Sequence, residues 1–291
     1  MSNSPETIYS SGILYQDTVS GQGRIILHHV NGTNYSKKLL VTVTNPGEQA
    51  ISLTISNGAI KGPGKHVMQL GQSAVVQYLN GTQTKDYTVA PGQTISVYSS
   101  MIVGTWDKSE AVTGTMDFNS TGQLTWKVVA LDEKSPMENV FKLQILPRDM
   151  HDRGTFNVIE RHYTLDLNNI TELEKLVLGR EKEEWLKGID ATTGKEAQNR
   201  GNYGLPIKIT VENNEDMGVI INARGGGYLG ALKWAKTNVF RVPSEQVLKS
   251  QAVAALVGLI KAGESNEIVY MLPNGSSAPL LFGFIPKSTW K

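Results

Sequence analysis

The chain has 291 residues, 40% hydrophobic and 19% charged, with a formal net charge of +1 and no cysteine. That length allows two domains of ordinary size. The missing cysteines exclude disulfides, thiolate metal centres and cysteine nucleophiles, and the near-neutral charge argues against nucleic acid as a partner.

Residues 1–6 carry no basic segment followed by an apolar one, and no apolar run reaches the roughly 18 residues of a membrane helix, so no membrane insertion is expected. Strand signals start at residues 24–30, a β-rich run ending at Asn31-Gly32. Asn31-Gly32-Thr33 and Asn80-Gly81-Thr82 are glycosylation-type triplets, but Asn-Gly is also a turn signal, and the turn is preferred. Lys37-Lys38 and the mixed charges of residues 180–184 read as solvated faces. Residues 38–44 form the next strand and end at Asn45-Pro46-Gly47. Residues 50–56 alternate, with Ile51, Leu53 and Ile55 facing a core, and stop at Asn57-Gly58.

Residues 66–79 carry a helical stripe of Val67, Leu70, Ala74, Val75 and Leu79, weakened by Gly71. Strands follow at 86–89, 94–98 and 112–118, then a turn at 119–122 and a hairpin partner at 123–130. Periodicity fades over 136–152, which places a boundary near residue 150 and divides the chain into domains 1–150 and 151–291. In the second, Thr171 and Glu174 form a capping box opening a helix through Val177, and a further helix runs from Ser244 to Ile260, with Gly263 as its stop signal. Residues 280–285 are a final strand.

The two halves resemble each other. Aligning Asn45 with Asn213 also places Ile51 on Val219, Leu53 on Ile221, Gly58 on Gly226 and Asn34-Tyr35 on Asn202-Tyr203. Val97-Tyr98 corresponds to Val269-Tyr270 after a small gap. Short strands with frequent turns, used twice, predict a mainly β protein of two tandem related β-sandwich domains, jelly-roll or immunoglobulin-like, with short inserted helices.

No Gly-x-Ser-x-Gly elbow, Walker loop or zinc-binding His-Glu-x-x-His is present, so no catalytic residue, cofactor or metal is expected and the chain reads as a non-enzyme. His28 and His29 are adjacent on a strand and point to opposite faces, so they do not share a metal; one is expected inside and hydrogen-bonded, the other in water. His151 reads as a surface residue. Asp17 and Asp190 read as turn carboxylates bonding their own backbone, and Arg224-Gly225-Gly226-Gly227 as a flexible turn. Trp126 belongs to a strand core. Trp106 and Trp234, near loops, are the candidates for a surface that stacks on sugars.

Residues 10–17, residues 28–33, Leu146-Pro147-Arg148-Asp149, Gly154-Thr155-Phe156, residues 188–194, Gly201-Asn202-Tyr203-Gly204 and residues 224–227 together resemble a known family. It is the long C-terminal region of surface proteins of spore-forming Gram-positive bacteria known as "copper amine oxidase N-terminal domain-containing" or "stalk domain-containing". The resemblance implies export and an extracellular or cell-surface location. It does not imply copper oxidation, because Asn202-Tyr203 is followed by Gly204, which breaks the motif that makes the quinone cofactor. The expected role is a non-enzymatic structural or adhesion module that self-associates. The alternative is a module binding carbohydrate or cell-wall polymer, and a hydrolase comes last. The expected partners are a second copy or an envelope polysaccharide.

Overall fold

The computed structural model describes residues 1–234, 238–244, 246–264 and 266–290. Among them, nineteen strands and one α-helix follow in chain order. The first are β1 (Thr7–Ile8), β2 (Gly12–Asn31), β3 (Lys37–Thr44), β4 (Ile51–Gly64), α1 (Val67–Asn80), β5 (Lys85–Val89), β6 (Thr94–Ser99), β7 (Ala111–Asp132) and β8 (Thr155–Phe156). Then come β9 (Arg161–Asp166), β10 (Glu174–Leu178), β11 (Leu186–Asp190), β12 (Lys195–Asn199), β13 (Ile207–Glu212) and β14 (Met217–Ala223). The last are β15 (Gly230–Trp234), β16 (Asn238–Val242), β17 (Ala254–Ile260), β18 (Asn266–Tyr270) and β19 (Leu280–Pro286). The protein is mainly β and sandwich-like, with several sheets.

The chain divides into two compact units: Met1–Leu70, Gly81–Asn157 and Lys187–Asn199 in one, Gly71–Asn80, Val158–Leu186 and Arg200–Lys291 in the other. This differs from a cut at residue 150. Most of α1 belongs to the second unit, where Val75 and Leu79 pack on Ala231 and Met271. Residues 187–199 belong to the first, where β11 pairs with β8.

In the first unit one seven-stranded sheet carries β1 to β7. Two long strands organise it. β2 and β7 pair antiparallel, and β7 also pairs with β3 and β4. Inward residues of these strands, including Leu27, Leu39, Val41, Val43, Leu53, Leu124 and Trp126, form its core. Turns expected at Asn57-Gly58 and at 119–122 do not end strands. Asn57 takes a positive φ of 48° inside a register shift of β4, so the extra residues bend the strand and the ladder continues.

In the second unit the five-stranded sheet β16-β15-β18-β13-β9 and the four-stranded sheet β10-β19-β14-β17 both contribute to one core. Ile209, Val211 and Ile268 come from the first sheet; Val219, Ile221, Ile260, Phe282 and Phe284 come from the second. Alternation on strands with one face inward explains this pattern.

Two predicted helices are extended instead. Residues from Thr171 lead into β10, whose Leu176 and Leu178 alternate into the core opposite Phe282 and Leu280. The capping signal is local and weak beside five residues of sheet pairing. The segment from Ser244 to Ile260 contains a bridge between Leu248 and Tyr228 and then β17; Glu245 lies outside the described residues. A short apolar run fits a strand as well as a helix, and pairing with β14 decides it.

Each unit holds one asparagine with the same bonding pattern. Asn45 follows β3; its Nδ2 donates to Val89 O (2.9 Å) and Gln49 O (2.7 Å), and its carbonyl accepts from Gly92 N (3.0 Å). Asn213 follows β13; its Nδ2 donates to Lys261 O (3.1 Å) and Glu215 O (2.7 Å), and its carbonyl accepts from Gly263 N (2.9 Å). Gly92 and Gly263 have φ of 68° and 70°.

Candidate functional site

Of the two tryptophans expected at a surface, one lies inside. Trp106 is wholly buried, and its indole N–H donates to Glu110 O at 2.7 Å. Its backbone exchanges two hydrogen bonds with Lys37, which draws the ring into the core of the first unit. Trp234 is half-buried, packed on the second unit's core and 6.4 Å from the Phe240 ring. Trp106 therefore offers no free face.

An open basin of about 570 Å³ lies instead in the first unit, between the β1–β2 connection, the β2–β3 connection and the paired ends of β3 and β7. Tyr9 and Tyr35 line it and are 77% and 74% exposed. Sequence reading missed them because it sought tryptophan. The usable signal was tyrosine set among Ser, Asn and Gly, the composition of rigid recognition loops.

Buried polar bonds hold the backbone of Tyr35 in place. Asn31 ends β2 fully buried; its Nδ2 donates to Tyr35 O (2.9 Å) and Trp106 O (2.7 Å). Its Oδ1 accepts from Thr33 N at 2.9 Å, and the Tyr35 N–H donates to Thr33 Oγ1 at 3.2 Å. An Asn31 side chain used this way is no glycan attachment point. Across the basin, Gly32 N donates to Ile8 O at 2.8 Å, which sets β1 beside the loop. A Cβ on Gly32 would sit 2.7 Å from the Tyr9 ring, so only glycine lets that ring lie against the backbone.

The floor is charged. Lys37, expected on a solvated face, is 4% exposed. It stands opposite Asp132 in the β3–β7 ladder; its Nζ donates to the Asp132 carboxylate and to Ser11 Oγ (3.0 Å). Strand register, not charge clustering, decides that Lys37 turns inward. The Lys37 ammonium holds the Asp132 carboxyl below the usual range, against the opposing effect of burial, and Ser11 helps. Asp132 remains more than half exposed and faces solvent.

Two phenol faces beside a fixed ammonium–carboxylate pair suit a ring that is apolar on its C–H faces and rich in hydroxyls. Asp132 is the one carboxylate lining the basin, whereas ordinary glycoside hydrolysis needs two facing carboxyls.

The other residues singled out serve packing. His28 and His29 are both buried, so neither is in water. Strand β2 lies within the sheet between β1 and β7, and the N-terminal segment covers His29: Ser2 Oγ lies 2.8 Å from Nε2 and Pro5 O 2.8 Å from Nδ1. His151, partly exposed, lies between Asp149 (3.0 Å) and Glu6 (3.1 Å). Asp17, expected in a turn, lies within β2 opposite Trp126, where its carboxylate accepts from Thr18 N and Thr155 Oγ1, because the strand runs on through this polar stretch. Asp190 accepts from Thr192 N in its turn and also holds Arg153 in a buried pair. Arg224 to Gly227 leave β14 as a loop. Among the described residues no group of three His, Cys, Asp or Glu is placed to hold a metal, and no helix is long and apolar enough to cross a membrane.

Comparison with protein-family models and with curated proteins gives no match for this chain. Among solved structures it is similar, at 9% identity and a TM-score of 0.17, to dimeric latent PorU from Porphyromonas gingivalis, over 97% of this chain and 20% of that one. It is also similar to tripeptidyl peptidase 2, at 9% identity and a TM-score of 0.22, over 93% of this chain and 22% of the other. The chain spans about a fifth of the length of each, and likeness at this level carries no argument about activity.

Proposed function

We propose that this chain is a non-enzymatic adhesion module of the cell surface that holds an envelope polysaccharide in the Tyr9–Tyr35 basin. One observation carries the reading: two exposed aromatic rings, one of them on a backbone held by the buried Asn31, flank the Lys37–Asp132 pair. The rings stack on the C–H faces of a sugar, while the carboxylate accepts from its hydroxyls and the remaining ammonium N–H donates to them. Placement outside the cell rests on the family resemblance of residues 10–17, 28–33 and 188–194.

The same reading takes the two units as diverged copies of one β-sandwich. The matching bonds of Asn45 and Asn213 support it, as do the corresponding antiparallel pairs β3–β6 and β13–β18, and β4–β5 and β14–β17. The parallel β9–β13 pair has no counterpart beside β3, which lies between β6 and β7.

Binding to an array of bacterial envelope glycans, followed by titration calorimetry on the best ligand, tests the assignment. Tyr9→Ala and Tyr35→Ala should each weaken binding about fivefold, roughly 1 kcal/mol of lost stacking, while Tyr9→Phe keeps the affinity within about twofold. An array without a ligand, or a double alanine variant that binds like the parent, would end the proposal.

A further inference from the structure

We infer that the outward face of the four-stranded sheet β10-β19-β14-β17 is the docking surface for a second copy of this chain. Its inward face is the core described above. By alternation, the other face should be polar if it met water. It is not. Ile220 stands opposite Leu256 on β17 and Gly283 on β19, and Gly218 stands opposite Leu259 and Ile285. Leu256 and Leu259 are 69% and 49% exposed, and Leu173 and Trp290 are exposed as well.

These side chains form one patch. A Cβ on Gly283 would lie 2.9 Å from both Leu173 and Ile220, and a Cβ on Gly218 would lie 3.5 Å from the Trp290 ring. The glycines let their neighbours lie over the strands, which leaves a level surface suited to sheet-on-sheet packing at about 10 Å.

The area of the face favours a second copy. The exposed apolar side chains amount to roughly 500 Å², within the range of the largest patches on monomers, about 300–600 Å². Paired with itself, the face buries about 1,000 Å², the lower bound for a specific interface, so the dimer is reversible. The one charge that the register places on this face is Lys175, opposite Gly283 on the edge strand β10. An isologous contact needs that the apolar patch beside it complement itself. The register shift in β17 beside Val219 and Ile220 bends that edge and disfavours strand addition, so the contact is face to face.

Sedimentation velocity from about 1 to 300 μM tests this, with expected passage from one to two chain masses. Leu256→Lys with Leu259→Glu should hold the protein at one chain mass throughout, with an unchanged circular dichroism spectrum. A second readout does not depend on that variant. The chain has no cysteine, so Leu256→Cys alone should give a covalent dimer with a long flexible bis-maleimide linker at about 100 μM, and Ser10→Cys, in the basin, should give much less. Tyr9→Ala should dimerise like the parent, which separates this contact from saccharide binding. A single chain mass at every concentration overturns the inference, as does equal cross-linking of both cysteine variants. Binding of the monomer to neutral phosphatidylcholine vesicles through Leu256 and Leu259 would assign the face to lipid and overturn it too.

Discussion

Replacing Arg153 with Met is expected to lower the stability of the first unit by about 3–5 kcal/mol, measured by urea unfolding. Arg153 is 1% exposed. Its Nε donates to Asp190 Oδ2 at 3.0 Å, and NH1 donates to Leu146 O (2.9 Å) and Leu14 O (3.1 Å) and reaches Ser4 O (3.3 Å). NH2 donates to Thr192 Oγ1 at 2.8 Å. One guanidinium thus ties the N-terminal segment, β2, the residues before β8 and the turn after β11. Removing it leaves the Asp190 carboxylate buried without a cation and several carbonyls without a donor. Asp190→Asn should also destabilise, because it leaves the guanidinium buried without its charge partner. Burial pushes the Asp190 carboxyl up, but bonds from Thr192 and Arg153 outweigh it and hold it below its usual value. The double variant should lose less than the sum of the two singles, since neither partner then strands the other. A loss below about 1 kcal/mol for Arg153→Met would show that water or rearrangement replaces these bonds.

That pair was half legible in the sequence. Asp190 in its Thr-Thr-Gly turn announces an Asx turn, and the turn is there. Nothing near Arg153 announces a partner 37 residues away. The same division holds along the chain. Alternating runs such as 50–56 and 38–44 became β4 and β3 because period-two burial is a local property. Helix α1 followed its stripe for the same reason. Residues 171–177 and 244–260 misled because their end signals were helical while their partners were strands, and only the chain fold brings β14 and β19 beside them. Lys37 and Trp106 reversed their expected exposure through one ladder position: the register that sets Lys37 against Asp132 also carries the Trp106 bridge inward. The basin was illegible for a similar reason. Its rings come from two connections, and Asn31, read as a turn residue, is the buried clamp that ties the second of them to Trp106.

The histidine pair leads to the other large effect. Burial holds His29 down to about 3 and His28 to about 4, from an ordinary value of 6.5. For His29, bonds to Pro5 and Ser2 oppose burial only in part; for His28, the neighbouring His151 adds to it. Both rings are therefore neutral in the folded protein at pH 5, whereas the unfolded chain has bound two protons by then. The folded state binds fewer protons, so the stabilisation is fully present above about pH 7. It falls as the pH drops through 6.5 toward 4, by roughly 1.4 kcal/mol per unit for each ring. Over that window the loss is several kcal/mol, a large share of the roughly 5–15 kcal/mol available to a domain. Asp149 acts lower down. Burial pushes it up, but bonds from Ser4, His151 and Glu6 bring it to about 2, so its contribution fades only below about pH 4. Urea midpoints at half-unit steps from pH 7.5 to 4.5 measure the slope. His29→Gln keeps one donor for Pro5 O and one acceptor for Ser2 Oγ but cannot titrate, so its slope should fall below that of the parent by roughly 1.4 kcal/mol per unit. A parent curve that is flat over this range, or a variant with the full slope, would mean that the rings open to water before they charge.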